Sequence, residues 1–214
     1  KAQEYRDKVK AAAGDARKLP ARDLALEALV EVLDGKRVVH FHTHRHDDIL
    51  TAIRLSKEFG FRLVLQHVSE AWKVAGEIAA ARVPSSIIMI DAPGGKLETQ
   101  EVHFRNGAAL EKVGALVGFH TDDGITDSRL FLRSAGMAVR AGMSREAALR
   151  GLTLSGALML DMADRVGSLK VGKDAFYQLL RDVPQLAFEV MRELAERVED
   201  TTAKLRDARA KLEA

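Results

Sequence analysis

Four short apolar runs, each followed by sequence with helical spacing, constrain this chain more than any other feature. They are Val38 to His42, Leu63 to His67, Ile87 to Asp91 and Leu116 to Asp122. Near-continuous apolar strands alternating with helices are the pattern of a parallel sheet buried on both faces. Such sheets place chemistry at the carboxyl ends of their strands. Here those ends carry His42, His67 and Asp122. Neutral imidazoles and a carboxylate suit zinc, manganese or iron, and can leave coordination positions open for water.

The stretches between the runs fill out an alternating order. Lys1 to Arg17 reads as a polar helix, and Pro20 opens a second one that Gly35 ends. Asp47 and Asp48 begin the next, which runs to Gly60. Further helices are expected over Glu70 to Ala81, Asn106 to Val113, Asp127 to Ala141 and Ser144 to Leu160, with Ser144 as an N-cap. Ala92 to Lys96 (APGGK) is a turn-rich loop. Four strands are too few to close a (β/α)₈ barrel of about 250 residues. The expected fold is therefore α/β: a half-barrel or an open parallel sheet, covering residues 1–175.

The pattern changes after Ala175. Residues 176–214 contain no strand candidate, and Met191, Leu194, Val198, Thr201, Leu205, Ala208 and Leu212 alternate by three and four. This spacing forms a heptad seam. It predicts a long helix that pairs with another, most simply in a homo-oligomer. An amphipathic helix packing on its own chain is the simpler alternative.

The composition narrows the function. Of the 214 residues, 47% are hydrophobic and 30% charged, with a net charge of +2. That is a globular composition with no electrostatic case for nucleic acid or an anionic membrane surface. There is no cysteine, which rules out disulfides and thiolate metal sites. No apolar run is long enough for a membrane span. Lys1 to Lys10 lacks the apolar core of a signal peptide. A cytoplasmic setting is slightly favoured, with a leader cleaved before Lys1 as the alternative.

His40, His42, His44 and His46 alternate, so an extended strand would point them all one way. Strand rise would separate neighbours by about 6–7 Å, too far for all four to hold one ion. His42 stands where the strand becomes polar and is the favoured ligand. His44, Arg45 and His46 would then lie on the loop rim, where a substrate arrives. The plainer reading is a surface histidine tract. His67, at a strand end, is either structural or the counterpart of His42 one βα unit later. Asp122 is either a helix cap or, if Asp123 or Asp127 supplies the cap, a free carboxylate. Asp91, Gly94, Gly95 and Lys96 do not have a phosphate-loop spacing.

Four segments together resemble one family: VVHFHTHRHDDIL (38–50), RLVLQHVSEAWKV (62–74), FHTDDGITDSRLFLR (119–133) and RVGSLKVGKD (165–174). In this order they are similar to the metal-dependent amidohydrolases of the imidazolonepropionase-like group, over Lys1 to Ala175. The resemblance implies the C-terminal half of a (β/α)₈ barrel hydrolase that cleaves a C–N bond in a small amide, cyclic amide or dipeptide-like substrate. It implies one or two divalent ions, zinc by preference, with His42, His67 and Asp122 as ligands. It also makes Asp122 the general base. His44, Arg45 and His120 become candidates for substrate contact.

The family's His-x-His pair on its first strand, and the bridging lysine or glutamate on its fourth, do not occur before His40. After Asp174 the family continues with a strand beginning Ala-Asp, whereas here Ala175 leads into Phe176. Residues 176–197 (FYQLLRDVPQLAFEVMRELAER) instead resemble the dimerisation-helix end of cyclic-nucleotide-binding domains. Three readings follow. The chain is the catalytic half of a hydrolase, or a regulatory or oligomerisation protein with a vestigial metal site, or two stretches of a longer chain.

Overall fold

The computed structural model describes residues 1–89, 96–168, 181, 192, 195–196, 198–204 and 206. The chain divides into two compact units, Lys1–Ser168 and Leu169–Ala214. The first is a parallel four-stranded sheet with helical crossovers. Its strands are β1 (Val38–Thr43), β2 (Arg62–His67), β3 (Ser85–Ile87) and β4 (Val117–Phe119), side by side in chain order. His42 pairs with Gln66, Gln66 with Ser86, and Ser86 with Gly118. This one-directional order, with a crossover after each strand, is the architecture of a partial (β/α) barrel.

Helices α1 (Ala2–Ala11) and α2 (Leu24–Leu33) precede the sheet, and α3 (His46–Phe59) and α4 (Ala75–Ala81) follow β1 and β2. After β3 comes α5 (Asn106–Lys112). After β4 come α6 (Phe131–Arg140), α7 (Arg145–Leu152) and α8 (Leu154–Met159). The first helix is shorter than its polar pattern suggests, because Ala13 and Gly14 turn left-handed at φ 48° and 86°. Pro20 does not open α2. Asp23 does, its carboxylate accepting from the Ala25 and Leu26 amides at 3.0 Å each, two of the donors a helix start leaves unpaired. Asp47 and Asp48 occupy the first turn of α3, the positive end of its dipole, and Gly60 closes the helix at φ 69°. Ser144 caps α7, accepting from the Ala147 amide at 3.1 Å. The segment expected as one helix to Leu160 divides at Thr153, whose hydroxyl donates to the Leu149 carbonyl.

Strand alternation sorts the sheet's two faces. Val39, Phe41, Leu63, Leu65, Ile87, Val117 and Phe119 pack into the core with Ile49, Ile78, Leu110 and Ala138. The opposite face carries His40, His42, Val64, Gln66, Ser86, Gly118 and, just beyond β4, His120. It is polar toward the strand ends. Gln66 Nε2 lies 2.8 Å from His40 Nδ1, and Ser86 Oγ lies 2.8 Å from His120 Nδ1.

In the second unit every described residue is helical, and Lys204 pairs with Asp200 one turn away at 2.6 Å. Val198 of the seam is exposed. Met191, Leu194, Leu205 and Leu212 lie outside the described residues, as do Asp91 and the loop from Ala92 to Gly95. Most of the stretch compared with cyclic-nucleotide-binding domains lies outside them too. Among the described residues, no helix is long and apolar enough to cross a membrane.

Candidate metal centre

Three histidines meet at the carboxyl ends of β1 and β2. One ring nitrogen from each of His42, His44 and His67 lies within 4.8 Å of the others. The His42 and His67 rings are 4.3 Å apart, and His44 stacks on His67 at 4.8 Å. His44 is therefore not a rim residue. It is buried, and its Nδ1 lies 2.7 Å from Ser69 Oγ. The rise of a flat strand does not apply to His44, because β1 ends at Thr43. Past that point the chain turns toward α3 and folds His44 under His42.

His67 reaches the cluster through its backbone. Simple alternation would put it on the core face with Leu63 and Leu65. Instead its φ is 68°, and that of Val68 is 42°. Left-handed geometry is uncommon outside glycine, and for β-branched valine it is a true outlier. Strain of this kind costs roughly 1–3 kcal/mol per residue and persists only where neighbours enforce it. The Val68 amide donates to the Thr43 carbonyl at 2.7 Å, the Glu70 amide donates to His44 O at 2.9 Å, and fully buried Asn106 donates Nδ2 to Val68 O at 2.7 Å. The result turns the His67 ring toward His42 and toward His120, whose Nε2 lies 3.0 Å from His67 Nδ1.

These surroundings keep His67 neutral. Burial, followed by the neighbouring His120, His42, His44 and Lys96, pushes its pKa down to about 3. A neutral ring has a lone pair to offer a cation. The donor set, three imidazoles with two of them oriented by Ser69 and His120, fits a divalent ion of the zinc class.

The remaining expected residues lie around this cluster. Asp122 is exposed in a turn just past β4, at φ 50°, where its carbonyl accepts from the Ile125 amide at 2.8 Å. The cap of the following turn comes from Asp127, which accepts from the Arg129 amide at 2.9 Å. Arg45 grips Asp47 at 3.0 Å across the start of α3. Sequence reading did not single out Ser69, Ser86, Asn106 or Glu98. Glu98, in the 3-10 turn Leu97–Thr99, stands 3.8 Å from His42 Nε2. None of the four lies in a strand-end pattern, and only the fold brings them to the histidines.

Comparison with known proteins gives a consistent picture. The model of the amidohydrolase family matches residues 21–191. An amidohydrolase from Thermotoga maritima MSB8 aligns at TM-score 0.75 and 34% identity, over 81% of this chain and 45% of that one. A second amidohydrolase structure, at 17% identity and TM-score 0.51, covers 65% of this chain and 37% of its own, and shares the fold. The chain thus spans less than half the length of either structure. A comparison with curated proteins found no match.

Proposed function

We propose, because this chain belongs to the amidohydrolase family, that it carries the metal-binding half of a hydrolase acting on a C–N bond. The substrate class is a small amide, a cyclic amide or a dipeptide-like molecule. The observation that supports this is the convergence of three imidazoles at adjacent strand ends, one of them held neutral. His42 and His67 would hold the ion, with His44 beside them. Asp122 is the carboxylate that the family resemblance adds. A bound zinc-type ion would acidify water and polarise the scissile carbonyl.

The chain's own residues supply the rest. Asp122 accepts a proton from the attacking water as the new C–O bond forms, and delivers it to the nitrogen as the C–N bond breaks. Its exposure leaves it accessible to both. His120 orients His67 and faces the substrate side of the sheet. Arg45, half-exposed and paired with Asp47, would offer its guanidinium to a substrate carboxylate that displaces Asp47.

The test uses the 214-residue chain loaded with zinc or cobalt, assayed against N-acyl amino acids, cyclic amides and dipeptides. Asp122→Asn should abolish hydrolysis while the ion stays bound, and His42→Ala should lose the ion. Wild-type turnover in Asp122→Asn would refute the assignment. Tight metal binding without hydrolysis of any member of the panel would favour a regulatory protein with a vestigial site.

A further inference from the structure

Glu98 belongs to no strand-end motif, yet its carboxylate points at the histidine cluster. Its Oε1 lies 3.8 Å from His42 Nε2 and 4.0 Å from His44 Nε2. Both distances exceed hydrogen-bond length, so the carboxylate faces both rings without hydrogen-bonding either. The turn that presents Glu98 is anchored. Thr99 is buried, and its hydroxyl donates to the Lys96 carbonyl at 3.1 Å. Just beyond, Trp72 Nε1 donates to the Glu101 carbonyl at 3.3 Å, and Lys73 pairs with Glu101 at 2.7 Å. The residues following β2 therefore fix the approach of Glu98 to the residues following β1.

We infer that Glu98 is a further anionic donor of the metal centre, reaching the ion from the side of His42 and His44. This rests on the metal-centre reading above. Ligands at about 2.0–2.2 Å from a tetrahedral zinc stand ~3.3 Å from one another. The Glu98 oxygen and the two Nε2 atoms reach that separation by closing roughly half an ångström. Three imidazoles and the single Asp122 carboxylate leave a divalent ion with net positive charge, and Glu98 offers a second neutralising oxygen. Its pairing with Lys96, at 3.8 Å and with both side chains well exposed, is too weakly held to account for this aim.

The experiment is metal titration of the apo 214-residue chain, using cobalt absorption and competition with a chelator. Glu98→Gln should weaken cobalt binding at least ten-fold and alter the visible absorption of the bound ion. Glu98→Asp, which keeps the charge on a shorter side chain, should recover part of the affinity. Urea midpoints of the apo variants should match wild type, separating ligand loss from unfolding. Glu98→Gln binding cobalt within two-fold of wild type, with His42→Ala losing it, overturns the Glu98 assignment alone. Wild type binding no better than His42→Ala overturns the metal centre and this inference together.

Discussion

Asn106 lies outside every motif, yet it should govern the geometry at the end of β2. Its Nδ2 is the donor to the carbonyl of Val68, a residue held at φ 42° and fully buried. Replacing it by alanine removes one of the two hydrogen bonds that carbonyl accepts, the Ala71 amide at 2.9 Å remaining, at about 1 kcal/mol. The vacated space is about one water in size, roughly 30 Å³, and at about 24 cal/mol per Å³ it adds ~0.7 kcal/mol. Against this, Asn106 Oδ1 has no partner among the described residues, and its removal relieves part of the loss. The net expectation for Asn106→Ala is about 1 kcal/mol of destabilisation. Asn106→Asp keeps the shape but replaces the donor with a second acceptor, charged and buried. It should cost more than alanine, about 3 kcal/mol or above. Urea denaturation, with the slope checked for constancy, measures both. The order of the two variants decides the matter. If aspartate proves as stable as wild type, or better than alanine, Asn106 is a space-filler and not the donor that holds Val68.

Two further expectations are independent of the catalytic reading. His67 titrates well below an ordinary histidine when folded, chiefly through burial and then through His120, His42, His44 and Lys96. Between about pH 6.5 and 3 the unfolded chain therefore takes up a proton that the native state refuses. Metal-free stability should fall as pH drops through that window, by at most ~1.4 kcal/mol per pH unit for this one group, and should be insensitive to it above. The urea stability of His67→Gln should depend less steeply on pH than wild type over that range; parallel curves would exclude the mechanism. Leu65, fully buried in the sheet interior, should cost about 2–5 kcal/mol on truncation to alanine, and a loss below 1 kcal/mol would contradict the packing described.

The sheet was legible because strand rhythm is local. Val38 to Thr43 and Arg62 to His67 advertise themselves by apolar, β-branched residues bounded by polar ends. His42 and His67 followed from their place at those ends. What the sequence concealed depends on partners far along the chain. His44 is buried because β1 ends one residue before it and Ser69, 25 residues on, receives its ring. Glu98 comes to the cluster on a 3-10 turn that no periodicity marks, and Asn106, at the start of an expected helix, bears on it only through the Val68 carbonyl. Asp23 replaces Pro20 as the start of α2 because a carboxylate that takes two amides outweighs a ring that merely tolerates the first turn. The helical seam from Met191 to Leu212 is a statement about a partner, which one chain's pattern can suggest only as an expectation.

The left-handed bend at His67 and Val68 also bears on how this protein can be improved. A glycine at Val68 would relax the backbone, but it would also empty a fully buried core position, and a screen for thermal stability would reject it. The same change would let the end of β2 wander and blur the position of the His67 ring. Core packing and a well-aimed His67 thus pull the same way at this one peptide, and a library scored on melting temperature would keep both.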